Sequence, residues 1–215
     1  MVVVLIVLTK RKIMRKKFVV GVDIDGVLRN IDTTLMTIFK REHPGSVKSD
    51  IISGWDFPNV DLPHSVKMDI LFKQCPEEIF ADSLPYDGVI EEFLELKKWV
   101  EDNGGKVACV THQKPDIIYH SLSWLGKHKF NFEEIHVTRN KHNAPIDYLI
   151  DDSPGNYKMW SKSKKDNDDF LLMNRDYNQD IRCTNRVHKL TDAINIIRTS
   201  RARKKELKKL IGESL

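Results

Sequence analysis

Short apolar runs alternate with longer amphipathic stretches along most of this chain, and turn residues separate them. The first run, Phe18-Val19-Val20-Gly21-Val22, is β-branched and passes into Asp23-Ile24-Asp25-Gly26-Val27-Leu28. It predicts a short buried strand that ends in a turn. Ile31, Leu35, Ile38 and Phe39 then recur at helical spacing, which predicts a helix from Ile31 to Glu42, stopped by His43-Pro44-Gly45. From Ser46 to Leu84 no period is sustained. With Pro58, Pro63, Pro76 and scattered aromatics, that stretch reads as a small, mostly helical insertion. After Pro85, the positions Val89, Ile90, Phe93, Leu94, Leu96 and Val100 mark one face of a helix from Asp87 to Asp102, which Asn103-Gly104-Gly105 stops. Further strands are predicted at Lys106 to Val110, Ile135 to Val137, Tyr148 to Ile150 and Phe170 to Met173, with a helix from Pro115 to Lys127.

This alternation predicts an α/β fold: a Rossmann-like, three-layer parallel sheet with helices on both faces and a small helical cap inserted after the first strand. In such sheets ligands bind beyond the carboxyl ends of the strands. Asp23, Thr111 and Asp151 each directly follow an apolar strand, so the rule gathers them at one rim. The expected organisation is an extension over 1–17, a core over 18–45 and 85–198, a cap over 46–84, and a basic helix or tail over 199–215.

Composition narrows the setting more than the chemistry. A chain of 215 residues suits one domain with an insertion. The net charge of +4 is modest and its basic excess gathers at the two ends, so it does not by itself argue for nucleic acid. Cys75, Cys109 and Cys183 are widely spaced with no CxxC pair, which suggests neither a disulfide framework nor a zinc site and makes a reducing cytoplasm the expected compartment. Met1 to Leu8 is almost wholly apolar and is followed by a basic block from Lys10 to Lys17. A secretory signal has its charge before the apolar stretch, and a membrane span needs roughly 20 residues. The segment is therefore read as a dispensable extension, with Met14 as an alternative start. Arg198 to Lys209 carries seven basic residues and one acid. Contact with nucleic acid or a membrane surface through these termini is weighed, but a solvated helix end is the preferred reading.

Asp23 and Asp25 carry the chemistry. Burying unpaired carboxylates where a strand leaves the core costs several kcal/mol each, so a compensating positive charge is required, and a hard divalent cation is the natural one. The partners found along the chain are Thr111, the basic pair Arg139 and Lys141, and Asp151-Asp152. A phosphomonoester hydrolase needs these types: a carboxylate to attack phosphorus, a second to protonate the leaving oxygen, a hydroxyl and a cation for the phosphate oxygens, and further carboxylates for Mg²⁺.

The arrangement resembles the haloacid dehalogenase-like phosphohydrolases, whose first motif, DxDx[TV], stands here as Asp23-Ile24-Asp25-Gly26-Val27. The resemblance implies that Asp23 is the nucleophile, forming an aspartyl-phosphate, and Asp25 the general acid and later base. It makes Thr111 the second-motif hydroxyl, Lys141 the third-motif cation, and Asp151 and Asp152 the acidic fourth motif. Mg²⁺ would be held by Asp23, the Asp25 backbone carbonyl and Asp151, with Asp152 beside them.

Spacing narrows the family. Lys141 follows Thr111 by 30 residues, which leaves no room for a second insertion, so the cap lies between the first and second motifs. A cap there is what the 5'(3')-deoxyribonucleotidases carry. Leu84-Pro85-Tyr86-Asp87-Gly88, Val137-Thr138-Arg139-Asn140-Lys141 and Tyr148-Leu149-Ile150-Asp151-Asp152-Ser153-Pro154 are similar to that family. Asn174-Arg175-Asp176-Tyr177-Asn178 resembles its "PYN" loop, with Asp176 where proline is usual. One departure is His112, where serine is common after the threonine, and it alters the expected phosphate pocket. The likeness runs from Phe18 to Arg198, strong at the motifs and thin within the cap. It implies Mg²⁺-dependent hydrolysis of a small nucleoside or deoxynucleoside monophosphate, and it allows a homodimer. Phosphate contacts are expected from Thr111, His112, Arg139 and Lys141. Trp55, Phe57 and Phe39 are the candidates for lining the base pocket, weighed against packing in the cap's own core, which is the preferred role for Phe39. A phosphatase for polynucleotide 3'-phosphates or sugar phosphates, and a non-catalytic binding protein on the same scaffold, are the alternatives.

Overall fold

The computed structural model describes residues 17–52, 54, 56–163 and 166–212. The apolar extension and Trp55 lie outside these residues. Among the described residues six strands form one parallel sheet: β1 (Phe18–Val22), β2 (Gly105–Thr111), β3 (Glu134–Val137), β4 (Tyr148–Asp151), β5 (Phe170–Met173) and β6 (Arg186–Val187), in the order β3-β2-β1-β4-β5-β6. The order reverses beside β1, so β1 lies between β2 and β4, with Val22 opposite Cys109 on one side and Ile150 on the other. The switch point of the sheet thus falls at Asp23.

Alternation along the central strands separates two cores. Val20 and Val22, Val107 and Cys109, Tyr148 and Ile150, and Leu171 and Met173 face one side, where they meet Phe93, Leu96 and Val100 of α3 (Val89–Asp102), Trp124 and Leu125 of α4 (Ile118–Lys127), and Ala193, Ile194 and Ile197 of α6 (Asp192–Leu210). Val19, Ala108, Val110, Leu149, Phe170 and Leu172 face the other side, against Trp160 of α5 (Pro154–Ser163) and against Ile146, which precedes β4. Because both faces are covered, these strands read as continuous apolar runs. Gly21 belongs to the second face, where an added Cβ would lie 2.8 Å from Ile146 Cδ1 and 2.9 Å from Val110 Cγ2.

A third cluster belongs to the cap. Helix α1 (Ile31–Glu42) buries Leu35, Met36, Ile38 and Phe39 against Ile52, Phe57, Val60, Ile70, Ile79 and Phe80. Short α2 (His64–Asp69) runs into a π-helical turn, Ile70–Gln74, and a second such turn spans Glu78–Asp82. The hydrophobic centre of the cap therefore begins at α1, ahead of residue 46, because the apolar face of α1 turns toward the insertion rather than the sheet. Chain leaving and returning to the core is paired: Asn30 N–H donates to the Leu84 carbonyl at 2.9 Å and Tyr86 N–H to the Leu28 carbonyl at 3.0 Å.

Several boundaries differ from the pattern. α3 begins at Val89, after Gly88 turns the chain at φ +73°, and α4 begins at Ile118. α6 runs unbroken through residue 198, since Ile194, Ile197 and Ser200 keep its first half buried while the basic second half is exposed. β6, two residues long, and α5, with Trp160 as its one buried side chain, carry too little periodicity to be read in advance.

Phe93 is 1% exposed and its ring meets those of Phe130 and Phe132 at 5.2 and 4.9 Å, whereas Leu94 beside it is 54% exposed. In urea unfolding, Phe93→Ala is expected to lower stability by about 3–5 kcal/mol, and Leu94→Ala to change it by less than about 0.5 kcal/mol.

Candidate active site

Because β1 and β4 are neighbours in register, Asp23 and Asp151 leave the sheet side by side, and Asp23 N–H continues the ladder to the Ile150 carbonyl at 3.0 Å. Lys141 is buried between them. Its Nζ lies 2.6 Å from Asp23 Oδ2 and 2.8 Å from Asp151 Oδ2. Asp151 also accepts from the Ser153 N–H at 2.8 Å and from Asn156 Nδ2 at 3.1 and 2.9 Å. Asp152, equally buried, takes the Tyr177 hydroxyl on Oδ2, while its Oδ1 has no hydrogen-bond partner among the described residues. Oxygens of Asp23, Asp151 and Asp152 lie within 4.8 Å of one another.

This donor set fits a hard divalent cation. Three buried carboxylates face one ammonium, one of them has an oxygen left without a hydrogen bond among the described residues, and all three offer oxygen ligands. Electrostatics records the strain. Burial pushes the Asp23 carboxyl up to about 7; Lys141 pulls it down, and Asp151 and Asp25 raise it further. Burial, with Asp151 and Asp23, raises Asp152 well above the usual carboxylate range. Burial also works against the Lys141 ammonium, yet Asp151 and Asp23 outweigh it and hold its pKa above the ordinary lysine value.

The turn after Asp23 folds onto the Ile24 carbonyl, which accepts from Leu28 and Arg29 N–H at 2.8 and 2.9 Å. Gly26 adopts φ +71°, and a Cβ there would lie 2.2 Å from Asp152 Oδ2. The loop after β5 clamps both sides of the cluster. Arg175 Nε donates to the Gly26 carbonyl at 2.7 Å, and Asn178 Nδ2 donates to the Asp152 carbonyl at 2.8 Å. Arg186 in turn holds Asn178 Oδ1 at 2.7 Å.

Asp25 points away from the carboxylate cluster. Its Oδ1 meets Arg29 Nε at 2.7 Å and its Oδ2 accepts from Gln113 Nε2 at 2.5 Å. A cleft of about 270 Å³ opens above Asp23 and Asp25. Thr111, His112, Gln113, Lys141, Ser153 and Asn156 form its polar side, and Ile31, Leu71, Phe72 and Phe80 from the cap form its apolar side.

The structure thus gathers Asp23, Asp25, Thr111, His112 and Lys141 around one cleft, with Asp151 and Asp152 beneath it. Burial lowers the pKa of His112, and Lys141 and Arg139 add to that effect. Arg139 itself is exposed and does not line the cleft. Phe39 takes the core role rather than lining the cleft: it is fully buried, edge-on to Phe57 at 5.8 Å. Phe57, at φ +51°, closes a small cavity of about 20 Å³ behind Asp25 instead of the main cleft. Sequence reasoning missed Gln113, Ser153, Asn156, Arg29, Phe72 and Phe80. Gln113, Ser153 and Asn156 follow β2 and β4 at the same rim, a signal that was present. Phe72 and Phe80 sit in π-helical turns with no readable period.

A reversed-order parallel sheet with a carboxylate, hydroxyl and lysine site at its switch point and a cap after the first strand defines a haloacid dehalogenase-like phosphohydrolase. Solved structures share the fold. L-2-haloacid dehalogenase from Xanthobacter autotrophicus aligns over 85% of this chain and 98% of its own, with a TM-score of 0.51 at 11% identity. A HAD-superfamily hydrolase of subfamily IA from Geobacter sulfurreducens covers 84% and 99%, with a TM-score of 0.52 at 12% identity. A HAD-hydrolase from Bacillus subtilis, bound to magnesium, covers 85% and 99%, with a TM-score of 0.52 at 13% identity. No curated protein matches the sequence. Residues 17–205 match the family model described as "5' nucleotidase, deoxy (Pyrimidine), cytosolic type C protein", and the chain belongs to that family.

The raised Asp23 pKa gives a stability test. Between the unfolded value near 4 and the folded value of about 7, the native state binds more protons than the unfolded one, so this group's contribution to stability falls as pH rises. A divalent cation that needs the ionised carboxylates reverses the penalty. Mg²⁺ is therefore expected to raise the melting temperature more at about pH 7.5 than at about pH 5. Gly26→Ala is expected to reduce both stability and that Mg²⁺ increment, read by the same thermal scan.

Proposed function

We propose that this phosphatase hydrolyses nucleoside or deoxynucleoside monophosphates to nucleoside and inorganic phosphate, with Mg²⁺ as its cofactor. The observation that carries the reading is the two-sided cleft. Asp23, Lys141 and Thr111 form a charged, hydrogen-bonding end at the scale of a phosphate, and Leu71, Phe72 and Phe80 offer an apolar wall to a nucleobase. The phrase "5' nucleotidase, deoxy (Pyrimidine)" in the matched family description supports the substrate class, and its word "cytosolic", with three free cysteines, supports a cytoplasmic setting. Among the described residues no helix is long and apolar enough to cross a membrane.

In this reading Asp23 attacks phosphorus in line, and the bond from phosphorus to the sugar oxygen breaks as Asp25 gives that oxygen its proton. Lys141 and Thr111 hold the phosphoryl oxygens through the transition state. Asp25, now a carboxylate, then takes a proton from water, the water oxygen attacks phosphorus, and the bond to Asp23 breaks, releasing phosphate and restoring the Asp23 carboxylate and the protonated Asp25. Asp23, Asp151 and Asp152 would hold Mg²⁺, which supplies charge neutralisation to the transferring phosphoryl group. The magnesium bound in the Bacillus subtilis fold relative supports the choice of metal.

The basic residues of α6 do not extend the cleft. Arg198, Arg201, Lys204, Lys205 and Lys208 line a separate groove with Phe18 and Tyr148, the first residues of β1 and β4, at the opposite end of the sheet from Asp23. That placement favours a mononucleotide over a polynucleotide substrate.

A phosphate-release panel of nucleoside monophosphates, sugar phosphates and a 3'-phosphorylated oligonucleotide tests the reading. Mononucleotides are expected to turn over fastest, with activity lost to a chelator and restored by Mg²⁺. Asp23→Asn should abolish turnover with the far-ultraviolet circular dichroism spectrum unchanged. Parent-like turnover in that variant removes the covalent route, and preference for a sugar phosphate removes the substrate assignment.

A further inference from the structure

Arg29 is a fully buried cation that the phosphatase chemistry above does not use. It occupies the joint between core and cap. The chain leaves the core beyond it, at Asn30, and returns at Leu84 to Tyr86, paired with Leu28 and Asn30. Its guanidinium spans three structural units at once. Nε and Nη2 each lie 2.7 Å from Asp25 Oδ1 on the first-strand turn. Nη2 also donates to Ser121 Oγ of α4 at 2.9 Å, and Nη1 donates to the Phe80 carbonyl of the cap. The rings of Phe80 and Trp124 each lie 5.2 Å from its Cζ. A guanidinium is the one side chain that can satisfy such a set, because its donors leave a rigid plane in fixed, divergent directions.

Phe80 has a second role. Its ring stacks on Phe72 at 6.2 Å and 11°, and both rings line the apolar wall of the cleft. The residue that would touch the substrate's apolar part is therefore the one whose carbonyl anchors Arg29, and Arg29 anchors Asp25. Among the described residues, Gln113 is the hydrogen-bond partner of its other oxygen, so the Arg29 contact sets the direction of the Oδ1 side.

We propose that Arg29 is a positioning residue: it aims the Asp25 carboxyl group at the leaving oxygen and, through the Phe80 carbonyl, ties that aim to the cap wall on which the substrate rests. The inference rests on the reading above in which Asp25 carries the proton. It adds that proton delivery depends on the register between cap and core, set by one buried side chain.

The test separates proton delivery from general damage by changing the leaving group. An alkoxide leaving from a nucleotide needs the proton; the phenolate leaving from p-nitrophenyl phosphate does not. Arg29→Lys keeps the charge and loses the fork. In single-turnover experiments with enzyme in excess, which follow only the first chemical step, Arg29→Lys is expected to slow nucleoside release from a mononucleotide by about 100-fold and p-nitrophenol release by less than about fivefold. KM for the mononucleotide should stay within about twofold of the parent value. Ser121→Ala, which frees one guanidinium anchor outside the cleft, should shift the ratio of the two rates in the same direction by about threefold or more, and it serves if Arg29→Lys melts well below the parent. Equal losses on both substrates, or no loss on either, overturn the proposal and leave Arg29 as a structural cation. Asp25→Asn is the control for the underlying reading: if it shows no dependence on leaving group, the proton role of Asp25 is what has failed, and Arg29 has nothing to position.

Discussion

Like charges held together out of water are the constraint around which this site is built. Parallel register sets Val22 beside Ile150, so Asp23 and Asp151 have to emerge together, and Asp152 follows at once. Mutual repulsion and desolvation favour expelling them into solvent. Against that stand Lys141 at 2.6 and 2.8 Å, Asn156 and the Ser153 amide on Asp151, and the Tyr177 hydroxyl on Asp152. The arrangement remains short of positive charge, which is the condition that favours binding of a divalent cation.

The two aspartates of the first motif, two residues apart, meet unlike surroundings. Strand geometry sends Asp23 into the carboxylate cluster beside Lys141, while the turn at Gly26 carries Asp25 to the cap side, where Arg29 and Gln113 receive it. The proposed reaction would use the first group to meet phosphorus and the second to meet the oxygen that leaves. Separate roles for neighbouring carboxylates come from environment, not from residue type.

How much of this was legible in the sequence varies with the range of the interaction. The strands, the rim and the pairing of Asp23 with Thr111, Lys141 and Asp151 follow from local pattern plus one topological rule, because each residue directly follows an apolar run or its loop. The cap was opaque. Its helices are short, its turns are π-helical, and α1 shows an apolar stripe without saying which cluster it faces. Phe39 and Phe57 were candidate pocket residues by type, but ring-on-ring packing within the cap claims Phe39 and a positive φ turns Phe57 elsewhere. Arg29 gave no signal at all: a lone arginine between Leu28 and Asn30 resembles any surface cation, and its burial depends on Ser121 and Phe80, which are 92 and 51 residues away in the chain.

The paired crossing at Leu28–Tyr86 and Asn30–Leu84 carries a consequence for how such proteins diversify. Where an inserted segment departs and rejoins within one hydrogen-bonded rung, its length is invisible to the sheet: residues can be gained or lost between the two ends without stretching a strand or displacing Asp23. The chemistry and the choice of substrate are then written in separable parts of the chain. In this chain the second could be replaced by a segment of another length while the first stays fixed, provided that whatever fills the gap still presents a carbonyl to Arg29.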